Sequence, residues 1–152
     1  MAVYKVVLMG DPVLREKAKP VKEINDSILR LLDNLRDTLH EYEGIGLAAP
    51  QIGISKRVIV VENDDEYYEL INPEIIKEEG RDTAIEGCLS IPQLTGKVKR
   101  AARVTVKGLN REGEEVTIEA EGLLARAFQH EIDHLDGILF VDRAEWVTRK
   151  EI

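Results

Sequence analysis

The chain has 152 residues, of which 43% are hydrophobic and 33% are charged, and its formal net charge is −8 at pH 7. This length predicts one domain spanning residues 1–152, and the acidic balance argues against a dedicated nucleic-acid-binding protein, for which a basic patch is typical. Cys88 is the only cysteine in the sequence, so neither an internal disulfide nor an oxidising compartment is indicated.

The first stretch, residues 3–9, is mostly apolar and predicts a short strand that ends in a turn at residues 10–12. Residues 1–10 lack the charged start and long apolar core of a secretory signal peptide. No run in the sequence approaches the roughly 18 apolar residues of a membrane span. We therefore expect a soluble cytoplasmic protein that does not associate with membranes.

Residues 26–42 carry the clearest helical period in the chain. Their apolar residues recur at intervals of three and four and would form one stripe: Ile28, Leu31, Leu32, Leu35 and Leu39. Asn25 or Asp26 can cap the first turn, and Gly44 marks the end. The pattern predicts an amphipathic helix packed on a core.

A loop rich in glycine and alanine is predicted at residues 44–55, and a series of strands follows it. The strands are predicted at residues 57–62, 67–72, 97–108 and 114–120. Pro73 would end the second of these strands, and residues 110–113 supply a hairpin turn between the last two.

The helical period returns at residues 122–135. The predicted core positions of this second helix are Leu123, Leu124, Ala127, Phe128 and Leu135. The order of a strand, a helix, several strands and a second helix is that of an α+β fold and differs from regular βαβ alternation.

The sharpest chemical signal lies on that second helix, in the run His130-Glu131-Ile132-Asp133-His134. Because residues four apart lie on one helix face, both imidazoles can bind one metal ion, with Glu131 close enough to reach a bound water. The alternative is a surface helix with two solvated histidines. The chain has three histidines, and two of them fall in this pattern on an apolar-striped helix, which favours the metal site.

A catalytic site of this kind needs a third protein ligand. One protease template places a glutamate well downstream on another helix, but little chain follows His134. A longer template places a ligand at the position of Phe140, which cannot bind a metal. Cys88 is the remaining soft ligand. A free cysteine by itself is more often a small buried hydrophobe, but beside a two-histidine site its thiolate is the favoured third ligand.

Three motifs together resemble those of the peptide deformylase family. They are Gly44-Ile45-Gly46-Leu47-Ala48-Ala49-Pro50-Gln51, Glu86-Gly87-Cys88-Leu89-Ser90 and Gln129-His130-Glu131-Ile132-Asp133-His134-Leu135. Residues 8–15 are also similar to the family's opening, and the resemblance covers nearly the whole chain. It implies a single catalytic domain in which mixed or antiparallel sheets surround a central C-terminal helix that carries the histidine motif.

The resemblance implies a metal-dependent hydrolase that removes the formyl group from the N-terminal formyl-methionine of newly synthesised polypeptides and releases formate. It assigns the metal ligands to Cys88, His130 and His134. Fe²⁺ is the metal it implies in the cell, with Zn²⁺, Ni²⁺ or Co²⁺ as substitutes. Glu131 would act first as a base towards water and then as an acid towards the departing amine.

Further roles follow from the same resemblance. The Gln51 side-chain amide and the Leu89 backbone N–H would stabilise the oxyanion. The substrate-binding residues it implies are Ile45, Gly46, Glu86, Leu123 and Ala127. Ile45 and Gly46 would pair with the backbone of an N-formyl-methionyl nascent peptide, which would bind as an added strand.

Some features depart from the family or stay undecided. Thr95 stands where many relatives carry a substrate-binding arginine, and Arg126 stands where some carry an apolar pocket residue. Some relatives dock on the ribosome through a longer C-terminal helix, and the short tail after Phe140 leaves ribosome association undecided. Asp133 is expected either on the helix surface or paired with Arg103 or Arg100. We assign no metal-binding role to His40.

Three other functions are considered. A small zinc protease would use a third ligand other than cysteine, so that Cys88→Ala would leave its metal content intact. A non-catalytic binding protein of the same fold would usually have lost Glu131 or Gln51. A structural zinc site would normally close all four positions with protein ligands, and the sequence offers only three.

Overall fold

Two antiparallel sheets and two longer helices account for most of residues 2–150, the part of the chain that this computed structural model describes. The helices are α1 (Asp26–Glu41), α2 (Gly122–Leu135) and the single-turn α3 (Phe140–Arg143). The strands are β1 (Gly46–Ala48), β2 (Val58–Asn63), β3 (Glu66–Glu79), β4 (Asp82–Cys88), β5 (Ile91–Arg100), β6 (Arg103–Leu109), β7 (Glu115–Glu121) and β8 (Ala144–Arg149). Two 3₁₀ helices lie at Pro12–Arg15 and Ala49–Ile52.

The α+β prediction is confirmed. One sheet has the strand order β1-β2-β3-β6-β7 and the other has the order β4-β5-β8, and the named strands pair antiparallel throughout. The predicted hairpin is present between β6 and β7, where Gly113 adopts the left-handed φ of 80° that its turn requires. Among residues 2–150, no helix is both long enough and apolar enough to span a bilayer.

Helix α1 forms where its apolar stripe predicts it. The Asn25 side chain accepts the backbone N–H of Ile28 at 3.1 Å and caps the first turn. The whole predicted stripe is buried in one cluster with β1 and β2. The helix ends at Glu41, and the residue that turns the chain out of it is Glu43, at a φ of 53°.

The predicted strand at residues 3–9 is wrong. This segment runs in an irregular extended path along α1 instead. Side chains of α1 and its cap accept two of its amides: Tyr4 donates to Thr38 Oγ1 at 3.0 Å and Val6 donates to the Tyr42 hydroxyl at 3.2 Å. The segment is mostly exposed, with only Val6 buried, and an apolar composition does not make a strand without a neighbouring strand to pair with.

Two strand boundaries also differ from the prediction. Pro73 does not end β3, because it falls at a break in the register between Ile71 and Glu74, where no ladder N–H is required of it. The predicted strand at residues 97–108 is two strands of different sheets, since β5 ends at Arg100 and β6 begins at Arg103.

Helix α2 lies where the sequence predicts it and contacts both sheets. Its apolar side chains pack on the five-stranded sheet, and Phe128 and Leu135 are fully buried there. Leu123 is 50% exposed, so its predicted core position is wrong. On its other side, polar groups of α2 meet β4 and β5, and the candidate site lies at this junction.

Candidate metal centre and active site

Three ligating side chains meet between α2 and the end of β4. His130 and His134 lie one turn apart on α2, with their ring centroids 5.1 Å apart. Cys88 is the last residue of β4, and its Sγ is 3.4 Å from His134 Nε2. One ligand atom from each of the three residues lies within 4.8 Å of the others. The structure thus brings together the three residues that the sequence singled out as metal ligands.

The site fits a single transition-metal ion. One thiol and two imidazoles form a donor set suited to zinc or ferrous iron, and a fourth position is left for water or substrate. Within residues 2–150, Glu131 Oε1 and His134 Nδ1 are buried without a hydrogen-bond partner. Because buried polar atoms are nearly always paired, the unpaired Glu131 oxygen next to the ligand His130 indicates a site built to hold a polar group such as water or substrate.

Glu86 fixes the orientation of His130. Its Oε1 is 3.0 Å from His130 Nδ1, so the opposite ring nitrogen faces Cys88 and the centre of the site. Burial by itself raises the pKa of Glu86, but hydrogen bonds from His130 and Arg100 outweigh burial and lower that pKa to about 2. Glu86 is therefore a carboxylate at any physiological pH, although it is buried.

The site shifts the pKa values of its two histidines in opposite directions. Burial lowers the pKa of His130, but its hydrogen bonds with Cys88 and Glu86 outweigh burial and raise that pKa to about 10 in the protein chain alone. Burial and the neighbouring charge of His130 lower the pKa of His134 well below its usual value. A metal ion would take the place of the proton on His130, since a ligating imidazole must be neutral.

Glu131 lies against the first strand of the five-stranded sheet. Burial raises its pKa to about 7, with the charges of His130 and Arg100 acting in the opposite direction. A Cβ added at Gly46 would come within 2.6 Å of Glu131 Oε2 and 2.8 Å of its Cγ. A glycine is therefore required for β1 to pass this close to the carboxylate.

Gln51 enters the site from the 3₁₀ helix that follows β1. Its side-chain oxygen accepts the Ala48 N–H at 2.9 Å, and its Nε2 donates to Ser90 Oγ at 3.2 Å and faces Cys88 Sγ at 3.6 Å. Both ends of the amide are thus held. Leu89 lies directly after Cys88 and lines the same cavity. The role of Ser90 in holding Gln51 was not predicted, although Ser90 lies within the cysteine motif.

A cavity of about 720 Å³ opens over these groups. It is lined by all five residues predicted to bind substrate: Ile45, Gly46, Glu86, Leu123 and Ala127. His130 and Glu131 form part of its floor, and Thr95 and Arg126, the two positions that depart from the family pattern, also line it. The cavity therefore joins two of the metal ligands, Cys88 and His130, to apolar side chains and to the β1 backbone.

The surroundings of Asp133 answer a question that the sequence left open. Arg100 Nη1 donates to Asp133 Oδ2 at 2.9 Å, whereas Arg103 pairs with Glu79 on the surface. Arg143 of α3 also donates twice to Asp133, a contact that the sequence did not indicate. His40 lies outside the site and pairs with Glu62.

Comparisons with known proteins agree with this geometry. Residues 3–150 match the sequence model of the family described as polypeptide deformylase. The peptide deformylase of Carboxydothermus hydrogenoformans is 64% identical over 150 residues, which cover 99% of each chain. That of Natranaerobius thermophilus is 62% identical over 153 residues, covering 99% of this chain and 98% of the relative.

Solved structures match over the same length. The crystal structure of peptide deformylase from Thermotoga maritima superposes with a TM-score of 0.92 at 41% identity, covering 96% of this chain and 100% of that one. The enzyme from Thermus thermophilus gives a TM-score of 0.89 at 49% identity, covering 93% of this chain and 85% of the other.

Proposed function

The chain belongs to the polypeptide deformylase family, and from that premise we propose how its residues remove the formyl group from the N-terminal formyl-methionine of newly made polypeptides. The family's reaction is metal-dependent hydrolysis of an amide, which releases formate and leaves a free N-terminal methionine. Membership argues against a small zinc protease, and the presence of both Glu131 and Gln51 in the site argues against a non-catalytic binding protein of the same fold.

The metal is held by Cys88, His130 and His134 in this proposal. The observation that carries it is the convergence of their ligand atoms within 4.8 Å at the junction of β4 and α2. When bound, a divalent ion there polarises the substrate carbonyl and lowers the pKa of water towards neutrality. Fe²⁺ is proposed as the ion in the cell, and Zn²⁺, Ni²⁺ and Co²⁺ suit the same donors.

Glu131 transfers the proton. Its Oε1 is buried with no partner among residues 2–150, so that oxygen can accept a proton from the attacking water. Because burial raises its pKa to about 7, the same carboxyl can return the proton to the leaving nitrogen near neutral pH.

Gln51 and Leu89 stabilise the negative charge that develops on the formyl oxygen. The Gln51 amide is already oriented by Ala48 and Ser90, so little reorganisation is needed when the charge forms. We assign the second donor to the backbone N–H of Leu89, directly after the cysteine ligand.

The substrate binds as an extended strand beside β1. This strand is the edge of the five-stranded sheet, and its inner side pairs with β2. The other side can therefore accept a peptide backbone at Ile45 and Gly46. Leu123 and Ala127 supply apolar walls for the methionine side chain.

Several broader assignments belong to the same proposal. We place the protein in the cytoplasm, where formylated nascent chains are made, and assign one catalytic domain to residues 1–152, of which 2–150 are described. Ribosome association stays a prediction. Residues 144–149 pair with β5 as β8, and no further C-terminal helix is present among residues 2–150.

Formate release from formyl-Met-Ala-Ser by the iron- or nickel-loaded protein tests this proposal. We expect turnover of the formyl peptide, no release of acetate from acetyl-Met-Ala-Ser, and a loss of roughly 100- to 10,000-fold in Glu131→Ala. A folded, metal-loaded protein that releases no formate would contradict the proposal. Retention of metal by Cys88→Ala would contradict the ligand assignment alone.

A further inference from the structure

The two halves of the metal site belong to different packing units. The apolar residues of α2, among them Phe128 and Leu135, pack in the core of the five-stranded sheet. The three-stranded sheet, whose strand β4 ends at Cys88, has a separate core. This core is formed by Leu14, Ile91, Val98, Leu139 and Phe140. In the described residues, that second core contains no apolar side chain of α2, although the His130 ring stacks on Phe140 at a centroid distance of 6.3 Å. Apart from this contact, polar side chains link α2 to β4 and β5.

A buried guanidinium crosses this junction. Arg126 lies on α2 one turn before His130 and is only 6% exposed. Its Nη1 donates to Glu86 Oε2 at 2.5 Å and to the Val98 carbonyl at 3.0 Å, and its Nη2 donates to the Asp82 carbonyl at 2.8 Å. A single side chain of α2 thus binds β4 near both of its ends and β5 in its second half.

Through Glu86, these contacts affect both the cysteine ligand and a histidine ligand of the metal site. Glu86 lies two residues before Cys88 on β4, and its other oxygen orients His130. We propose that Arg126 is a positioning residue: it holds β4 and β5 against α2 and thereby sets the distance between the Cys88 sulfur and the histidine nitrogens. The inference rests on the metal site proposed above and assigns a role to a residue outside the three family motifs.

Positioning by Arg126 can be distinguished from a role in which Arg126 only neutralises the charge of Glu86. Arg100 already pairs with Glu86 through two hydrogen bonds, at 2.6 and 2.9 Å, and also binds Asp133. Glu86 therefore keeps a buried counter-charge when Arg126 is removed, and the variant is expected to fold. A lysine would keep the charge, but one ammonium group cannot reproduce the planar fork that reaches all three acceptors.

Cobalt binding tests the proposal with a readout that does not depend on turnover. Arg126→Met and Arg126→Lys are loaded with Co²⁺, and the thiolate-to-cobalt absorption and the rate of cobalt loss to excess chelator are measured. We expect Arg126→Met to lose cobalt roughly 10- to 100-fold faster than the wild type, with a weaker or shifted thiolate band. Arg126→Lys should fall between them. Arg103→Met, which removes an exposed arginine paired with Glu79, is the matched control and should behave as wild type.

A Glu86→Gln background separates positioning from loss of packing. If Arg126 acts through Glu86, most of the effect of Arg126→Met on cobalt loss should disappear in that background. Far-UV circular dichroism reports folding, and Arg126→Lys carries the test if Arg126→Met does not fold. A cobalt-loss rate within twofold of wild type in the folded variants would overturn the inference alone. The proposed metal site would be overturned as well if the wild type shows no thiolate-to-cobalt band that depends on Cys88, as judged by Cys88→Ser.

Discussion

Glycine at position 46 illustrates how strictly single residues are constrained at this site. Gly46→Ala would place a Cβ 2.6 Å from Glu131 Oε2, so the carboxylate must move. Because a misplacement of about 1 Å can reduce turnover by roughly 100-fold, we expect kcat/KM for formate release to fall by about that factor. The melting temperature, measured alongside, should change little.

Gly87→Ala is the matched control for this substitution. Its added Cβ would meet nothing closer than 3.8 Å, so its activity should fall far less than that of Gly46→Ala. Equal losses in the two variants would show that the contact between β1 and Glu131 is not the cause.

Ser90 supports the reaction through Gln51. Ser90→Ala removes the acceptor that holds Gln51 Nε2 at 3.2 Å, a hydrogen bond worth about 0.5–1.5 kcal/mol. We expect kcat to fall roughly 2- to 10-fold, with KM for the formyl peptide unchanged, because the amide is needed mainly when the oxyanion forms. Steady-state kinetics measure both constants. A rise in KM at unchanged kcat would place Ser90 in substrate binding instead.

Among the elements, the helices were the easiest to predict and the strands the hardest. The stripe of α1 and the histidine spacing of α2 are local patterns with the period of a helix, and both helices formed where expected. Strand β4 was not predicted, since its short sequence shows no regular alternation of apolar and polar residues, and Glu86 is its one buried residue. Its identity as a strand depends on pairing with β5, which a local pattern does not report.

The cap of α1 gives a prediction at the scale of one element. Asn25→Ala removes the side-chain acceptor of the Ile28 N–H and should lower the free energy of unfolding by about 1 kcal/mol. Urea denaturation measures that loss. Activity at 25 °C should be unchanged because the cap lies outside the cavity. Asn25→Asp, which keeps the acceptor, should retain wild-type stability.

At the scale of the whole molecule, an ion pair joins segments from the two ends of the chain. Arg15, in the first 3₁₀ helix, binds Asp142 of α3. The hydrogen bond from Arg15 lowers the pKa of Asp142 below its ordinary value of 3.8, against the effect of partial burial. The carboxylate therefore stabilises the fold above about pH 4, and this contribution is lost as the pH falls through the lowered pKa.

Asp142→Asn tests that contribution. Both partners are more than one third exposed, so the variant should lose no more than about 1 kcal/mol at pH 7. Denaturant unfolding at pH 7 and at pH 2.5 measures the difference from wild type, which should shrink at the lower pH. A difference that is the same at both values would contradict the assignment to Asp142.

The sequence by itself determined the parts of this protein that depend on neighbouring residues. These parts are the two helices, the hairpin between β6 and β7, the histidine pair with Glu131, and the motifs that indicated the family. The physical reason is that helical spacing, turn preference and ligand spacing on one helix are set within a few residues.

Only the tertiary structure decided how Cys88 meets the histidines. That meeting requires a strand from one sheet to dock on a helix whose apolar face packs on the other sheet. Hydrogen bonds from Arg126 to Glu86 and from Arg100 to Asp133 cross the junction, and they join residues that are 40 and 33 positions apart in the chain. Such pairings carry no local period, because their geometry exists only once both sheets have folded around α2.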